Sequence, residues 1–240
     1  MTTKHLSTQF DADLDAVSDQ LMEMGGLVEQ QIVRAMRAFA ELDSTAAEQV
    51  IEDEHLVNTM EIEIDQEIGN VIARRQPAAG DLRLLMATSK TVTNLERVGD
   101  EARKIAKRAV RIVDEDVTRC IDVADIRVAG ELAIGILRRA LDAFSRLDAT
   151  SAAQIVRDDE AIDELFRAFA RKLIGYMGED PRCVRVGLDC LSIAKAIERI
   201  GDHAKNIAEF VIYVVSGTDV RHVPRDTLYR EAEGADEQEE

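Results

Sequence analysis

Tryptophan is absent from this chain of 240 residues, and only three prolines, three tyrosines and six phenylalanines occur in it. So few helix breakers and aromatics, set among long stretches of Ala, Leu, Glu, Arg and Ile, exclude a sheet protein and read as helix throughout. Cysteine is equally scarce. Cys120, Cys183 and Cys190 are an odd, widely spaced set with neither a Cys-x-x-Cys zinc pattern nor a secreted disulfide framework, which points to a reducing compartment. Long apolar runs are missing too. Phe210 to Val215 is far too short to cross a bilayer, and Met1 to Asp11 carries no signal-peptide apolar stretch. A cytoplasmic protein is expected, reaching a membrane surface only through a partner and never inserting directly.

Positive charge is in deficit. Forty-seven acidic residues against 30 basic ones leave a net charge of −17, which repels nucleic-acid phosphates, anionic lipid and free inorganic phosphate while concentrating cations. Nucleic acid is excluded as a partner on this ground. Some of the charge lies in GADEQEE, Gly234 to Glu240, and residues 217–240 are expected to form an acidic, disordered tail.

Where breakers are few, helix boundaries stand out. Ile193, Ile197, Ile200, Ala204, Ile207 and Val211 recur at alternating steps of four and three, the period of an antiparallel bundle seam. Leu95, Val98, Ala102, Ile105, Ala109 and Ile112 repeat the pattern, as do Leu14, Val17, Leu21, Met24 and Val28. These stripes are core. Leu42-Asp43-Ser44-Thr45 supplies side-chain oxygens to cap a following helix, Gln76-Pro77 separates the second helix from the third, and Asp180-Pro181 combines an N-cap with proline at the first helical position. Helices of roughly thirty residues follow, each about 45 Å long.

The chain also repeats itself. AFAELDSTAAEQVIED, Ala38 to Asp53, aligns with AFSRLDATSAAQIVRD, Ala143 to Asp158, while ERVGD at Glu96 aligns with ERIGD at Glu198. The predicted fold is all-α: two pseudo-symmetric antiparallel three-helix bundles from an internal duplication. The first repeat is placed at 1–117 and the second at 118–216, with DEDVTRCIDVA, Asp114 to Ala124, at their junction.

Carboxylates four apart share a helix face, so Glu96 with Asp100 and Glu198 with Asp202 each form a pair of oxygen donors. A bound cation would offset their mutual repulsion. Spacing alone decides little, because Glu61 with Asp65, Glu63 with Glu67 and Asp11 with Asp15 show the same interval. The identical E-R-[V/I]-G-D setting in both repeats is what singles out the four. At 100° per residue they lie nearly opposite the apolar stripe and should face outward, forming an open, partly hydrated site. All-oxygen ligands suit hard ions such as Mg²⁺, Mn²⁺ or iron. Arg103, Lys107 and Lys205 supply the competing possibility, plain surface ion pairs. Weaker candidate ligands on the second helices are Asp53, Asn58, Asp158, Asp159 and Asp163; His203, next to Asp202, could join that site, but a solvent-facing position is expected for it. Glu52-x-x-His55 is half of a ferritin-like di-iron pattern, the alternative being a carboxylate-bundle metalloenzyme, but no second copy occurs. No phosphate loop or nucleophile elbow is present.

ARRQPAAGDLRLLMATSKTVTNLERVGDEARKIAKR, Ala73 to Arg108, resembles the signature region of the PhoU family of phosphate-transport accessory and regulatory proteins. AIERIGDHAKNIAE, Ala196 to Glu209, is similar to the family's second motif, and VIYVVSGTDVRHV resembles its C-terminus. The resemblance implies a cytoplasmic, commonly dimeric protein that is not an enzyme and keeps phosphate-starvation genes off when phosphate is plentiful. It further implies work alongside the ATPase and membrane subunits of a phosphate ABC transporter and a phosphate-sensing histidine kinase. Surface metal clusters at the Glu-x-x-x-Asp motifs are also implied.

Overall fold

The computed structural model describes residues 8–113 and 120–236. The first repeat holds α1 (Thr8–Glu41), α2 (Ser44–Glu52), α3 (Glu54–Arg75) and α4 (Ala79–Val113). The second holds α5 (Ala124–Arg146), α6 (Ala149–Asp158), α7 (Glu160–Glu179) and α8 (Val184–Ser216), followed by α9 (Arg225–Asp236). Only helices, with their turns, occur among the described residues. Of the expected junction, Asp114 to Arg119 lies outside them.

The seam stripes behave as core. Leu95, Val98, Ala102, Ile105, Ile193, Ile197, Ile200 and Ile207 are all fully buried. The long helices α4 and α8 pack against each other and against α1 and α5, so the two repeats share one continuous core. Two buried acids tie that seam: Glu101 accepts from Arg199 at 3.2 Å, and Asp189 accepts from Arg108 at 2.9 Å. A buried carboxylate is tolerable only with such partners, and each would be strongly destabilising if its cations were removed.

The first turn of each repeat is built alike. Leu42 and Leu147 take left-handed angles, φ 57° and 53°, and the next residue, Asp43 or Asp148, caps a helix through its side chain. Asp180 likewise accepts from the Arg182 amide at 3.0 Å, ahead of the Pro181–Cys183 turn.

Two expectations are corrected. The second helix of each repeat is not continuous but kinks, at Asp53 and at Asp159. Asp53 keeps helical angles, φ −74° and ψ −8°, while its carbonyl accepts from Gln31 Nε2 at 3.2 Å, a bond from outside its own helix. The tail is also structured in part. Arg225–Asp236 is helical because Leu228 and Ala232 find apolar cover against α6 and α8, and the Arg157 guanidinium stacks 3.8 Å from the Tyr229 ring centre. Residues 237–240 of that tail lie outside the described residues. No helix among the described residues is long and apolar enough to cross a membrane.

Candidate metal sites beneath the helix kinks

The glycine inside each motif explains where the carboxylates go. A Cβ at Gly99 would meet Gln31 Oε1 at 3.3 Å and Val57 Cγ1 at 3.4 Å, and one at Gly201 would meet Asp159 Oδ1 at 2.7 Å. Lacking a Cβ, these positions let the kinked α3 and α7 settle onto α4 and α8. Acids on the two helices are thereby brought to the motif acids.

In the first repeat the gathering comprises Glu54 and Glu61 from α3 with Glu96 and Asp100 from α4. Burial raises the Glu96 carboxyl above its ordinary range, and the neighbouring charges of Asp100, Glu61 and Glu54 add to it. Glu61 is raised as well, by burial first and then by Asp65. Asn58 donates to Glu54 at 3.0 Å and so joins the edge of the group, while Arg103 stands 3.6 Å from Glu54.

The second repeat places Asp159, at the kink, and Asp163 of α7 beside Asp202 of α8, with Glu198 one turn earlier on α8. Asp159 is pushed up to about 6, chiefly by burial; Lys205 opposes the shift, and Asp202 and Asp163 reinforce it. One oxygen of Glu198 pairs with Lys195 at 2.5 Å, whereas the other, Oε2, is buried with no hydrogen-bond partner. An orphaned buried carboxylate oxygen is costly and is the kind of group a cation satisfies.

The motif acids therefore do not face fully outward. All four are half-buried on the flank between the long helix and the kink, because the neighbouring helix covers the side that a lone helix would leave to water. Asp100 and Asp202 also line, with Arg97 and Arg199, a polar groove of about 550 Å³ along the α4/α8 seam, so the two motifs meet there. His203 is not solvent-facing either. It packs in this groove with Nδ1 3.0 Å from Asn94 Oδ1, and burial lowers its pKa.

Asp53 and Asp158 are taken up elsewhere. They occupy equivalent positions and pair with the equivalent arginines of the first helices, Arg34 and Arg139, each at 2.5 Å. Asp163 is shared with Arg167 at 3.3 Å. His55 is exposed and its Nδ1 lies 2.7 Å from the Glu52 carbonyl, so the ferritin-like pattern has no inward-facing half here. Among the described residues no three Asp, Glu, His or Cys side chains already converge on one point. The donors are all oxygen, partly desolvated and mutually repelling, which fits a hard ion once Lys205 or Arg103 gives way. Glu54 and Glu61 were not anticipated. Glu54 could have been found, because the duplication aligns it with Asp159.

A family model described as the PhoU domain matches residues 21–109 and 126–211, one copy per repeat and each containing one motif. The chain belongs to the PhoU family. The phosphate-specific transport system accessory protein PhoU homolog of a Burkholderia species is 55% identical over 233 residues, covering 97% of this chain and 99% of that protein. Its counterpart in Escherichia coli K12 is 42% identical over 97% of this chain and 96% of its own length. The crystal structure of PhoU from Pseudomonas aeruginosa superposes with a TM-score of 0.83 at 43% identity, covering 87% of this chain and all of that one. The phosphate transport system regulatory protein PhoU of Streptococcus pneumoniae gives 0.82 at 27% identity, over 88% of this chain and 99% of that one. The PhoU fold is thus kept across relatives that share about a quarter of their residues with this chain.

Proposed function

We propose that this chain restrains phosphate uptake and the phosphate-starvation response as a metal-binding helical adaptor between a phosphate ABC transporter and a phosphate-sensing histidine kinase. The observation that carries the reading is its near full-length match to phosphate-specific transport system accessory proteins, with both acidic motifs intact. The adaptor acts in the cytoplasm, as a homodimer, held near the membrane by the transporter's ATPase and membrane subunits. It performs no reaction of its own.

Rigid helical bodies suit this work. An adaptor that binds one conformation of the kinase better than another shifts the kinase toward that conformation by its difference in affinity, and no more. Glu96, Asp100, Glu54 and Glu61 would hold one ion site, and Glu198, Asp202, Asp159 and Asp163 the other. A divalent or trivalent ion, iron, Mn or Mg, supplies positive charge there. The side chains themselves fix how the kinked helix lies on the long one, and so shape the docking surface. The test is a starvation-promoter reporter in phosphate-rich medium. Deleting the gene should switch the reporter on and the intact gene should silence it again; a reporter that stays silent without the gene would refute the reading.

A further inference from the structure

The DVRH turn, Asp219 to His222, has no part in the acidic sites. It follows α8 and folds back so that Arg221 and His222 reach a pocket of about 400 Å³, which also takes in Lys90 and Arg97 of α4 and Glu209 of α8. Four basic side chains around one pocket are conspicuous in a chain with 17 more acids than bases.

Two of these cations have no direct salt-bridge partner, although the charges of Asp219 and Glu96 are felt at Lys90 and Arg97 respectively. Lys90 and Arg97 reach no carboxylate at ion-pair distance among the described residues. Lys90 instead rests its ammonium over Phe210 and Tyr213, 5.6 and 5.8 Å from the ring centres. The third is oriented in advance. Asp219 accepts from the Arg221 amide at 3.1 Å and from its Nε and Nη2 at 2.9 and 2.5 Å, which fixes the guanidinium without using Nη1. His222 holds a left-handed φ of 65°, a conformation that a side chain other than glycine adopts at a cost of about 1 kcal/mol.

We propose that this pocket binds a tetrahedral oxyanion, and that inorganic hydrogen phosphate is its ligand. The anion follows from unpaired, pre-set donors. The choice of phosphate follows from Glu209, which is 8% exposed and lines the pocket. Burial raises the Glu209 carboxyl, while Lys205, His222 and Arg221 oppose that shift and favour its charged form; ionised, it repels sulfate, which has no proton to offer, but accepts a hydrogen bond from the P–OH of hydrogen phosphate. The net charge of the chain does not forbid this. Salt screens charges beyond about 8 Å, so the local field is set by Lys90, Arg97, Arg221 and His222 against the two nearby carboxylates, Glu209 and Asp219, and not by the chain as a whole. That phosphate is the relevant anion in the cell rests on the regulatory reading above; the binding itself does not.

Inorganic phosphate is titrated into the full chain by calorimetry in chelator-treated Tris buffer, with sodium sulfate at matched ionic strength as the second arm. The expected result is saturation at one phosphate per chain, with sulfate at least about tenfold weaker. Lys90→Ala and Arg97→Ala should each weaken phosphate about tenfold or more, as loss of a charge-assisted bond does. Lys90→Arg should retain most of the affinity. Glu209→Gln should bring sulfate close to phosphate. Thermal melts matching the parent confirm that the two surface variants are folded. Absence of saturable phosphate binding overturns the proposal, as do equal affinity for sulfate or indifference to both alanine changes. None of these failures touches the promoter reporter, so the regulatory reading stands or falls separately.

Discussion

Gly201 lies directly beneath Asp159, so close that a single methyl on it would stand 2.7 Å from Asp159 Oδ1 and 2.9 Å from Ile162 Cδ1. The equivalent contacts at Gly99 are looser, 3.3 and 3.4 Å to Gln31 and Val57. Alanine gains about 1 kcal/mol of helix propensity over glycine, while overpacking costs about 1–3 kcal/mol. Gly99→Ala should therefore be nearly neutral and Gly201→Ala destabilising by about 1–2 kcal/mol. Urea unfolding of both variants checks the order; equal effects would show that the two kinks do not differ in how tightly they sit.

Asp159 predicts a pH dependence. Its pKa is raised from 3.8 to about 6 by burial, so the native state binds the proton more tightly than the unfolded state. The favourable contribution of the protonated acid is complete below the unfolded value and is lost as pH rises to about 6. In chelator-treated protein, Asp159→Asn should gain stability relative to the parent between pH of about 4 and 7, on the order of 2 kcal/mol. Lost pairing with Lys205 works against this gain. A constant difference across the range would place the shift elsewhere.

Much of this was legible in the sequence because the chemistry concerned is local. Bundle seams follow from the spacing of Leu95, Val98 and Ala102, and the turn at Asp43 from its capping oxygen, so both are as read. The kinks at Asp53 and Asp159 were not legible. Neither residue breaks a helix by itself, and what turns the chain at Asp53 includes a bond from Gln31, 22 residues away. For the same reason the outward direction assigned to Glu96 and Glu198 was half right: helical periodicity fixes the angle around one helix, but not which neighbour covers it. His203 was misplaced because its partner, Asn94, lies 109 residues away on another helix.

The terminal helix was hidden by its charge. Its apolar contacts are few, Leu228, Ala232 and the half-buried Tyr229, and they matter only once α6 offers a surface. Leu228→Ala should cost about 2 kcal/mol locally. Amide exchange should then speed up in α9 and at its contact with α6, while the α4/α8 seam stays protected. Unchanged exchange in α9 would mean that Leu228 does not anchor it.

The most direct test of the account is metal content, because both acidic gatherings are read as ion sites. Protein loaded with iron, or with Mn²⁺, is freed of excess ion and its stoichiometry measured by elemental analysis. Glu96→Ala with Asp100→Ala should remove the first repeat's share, and Glu198→Ala with Asp202→Ala the second's, each leaving the other in place. A stoichiometry unchanged in both double variants would contradict the assignment and return these carboxylates to the role of surface ion pairs.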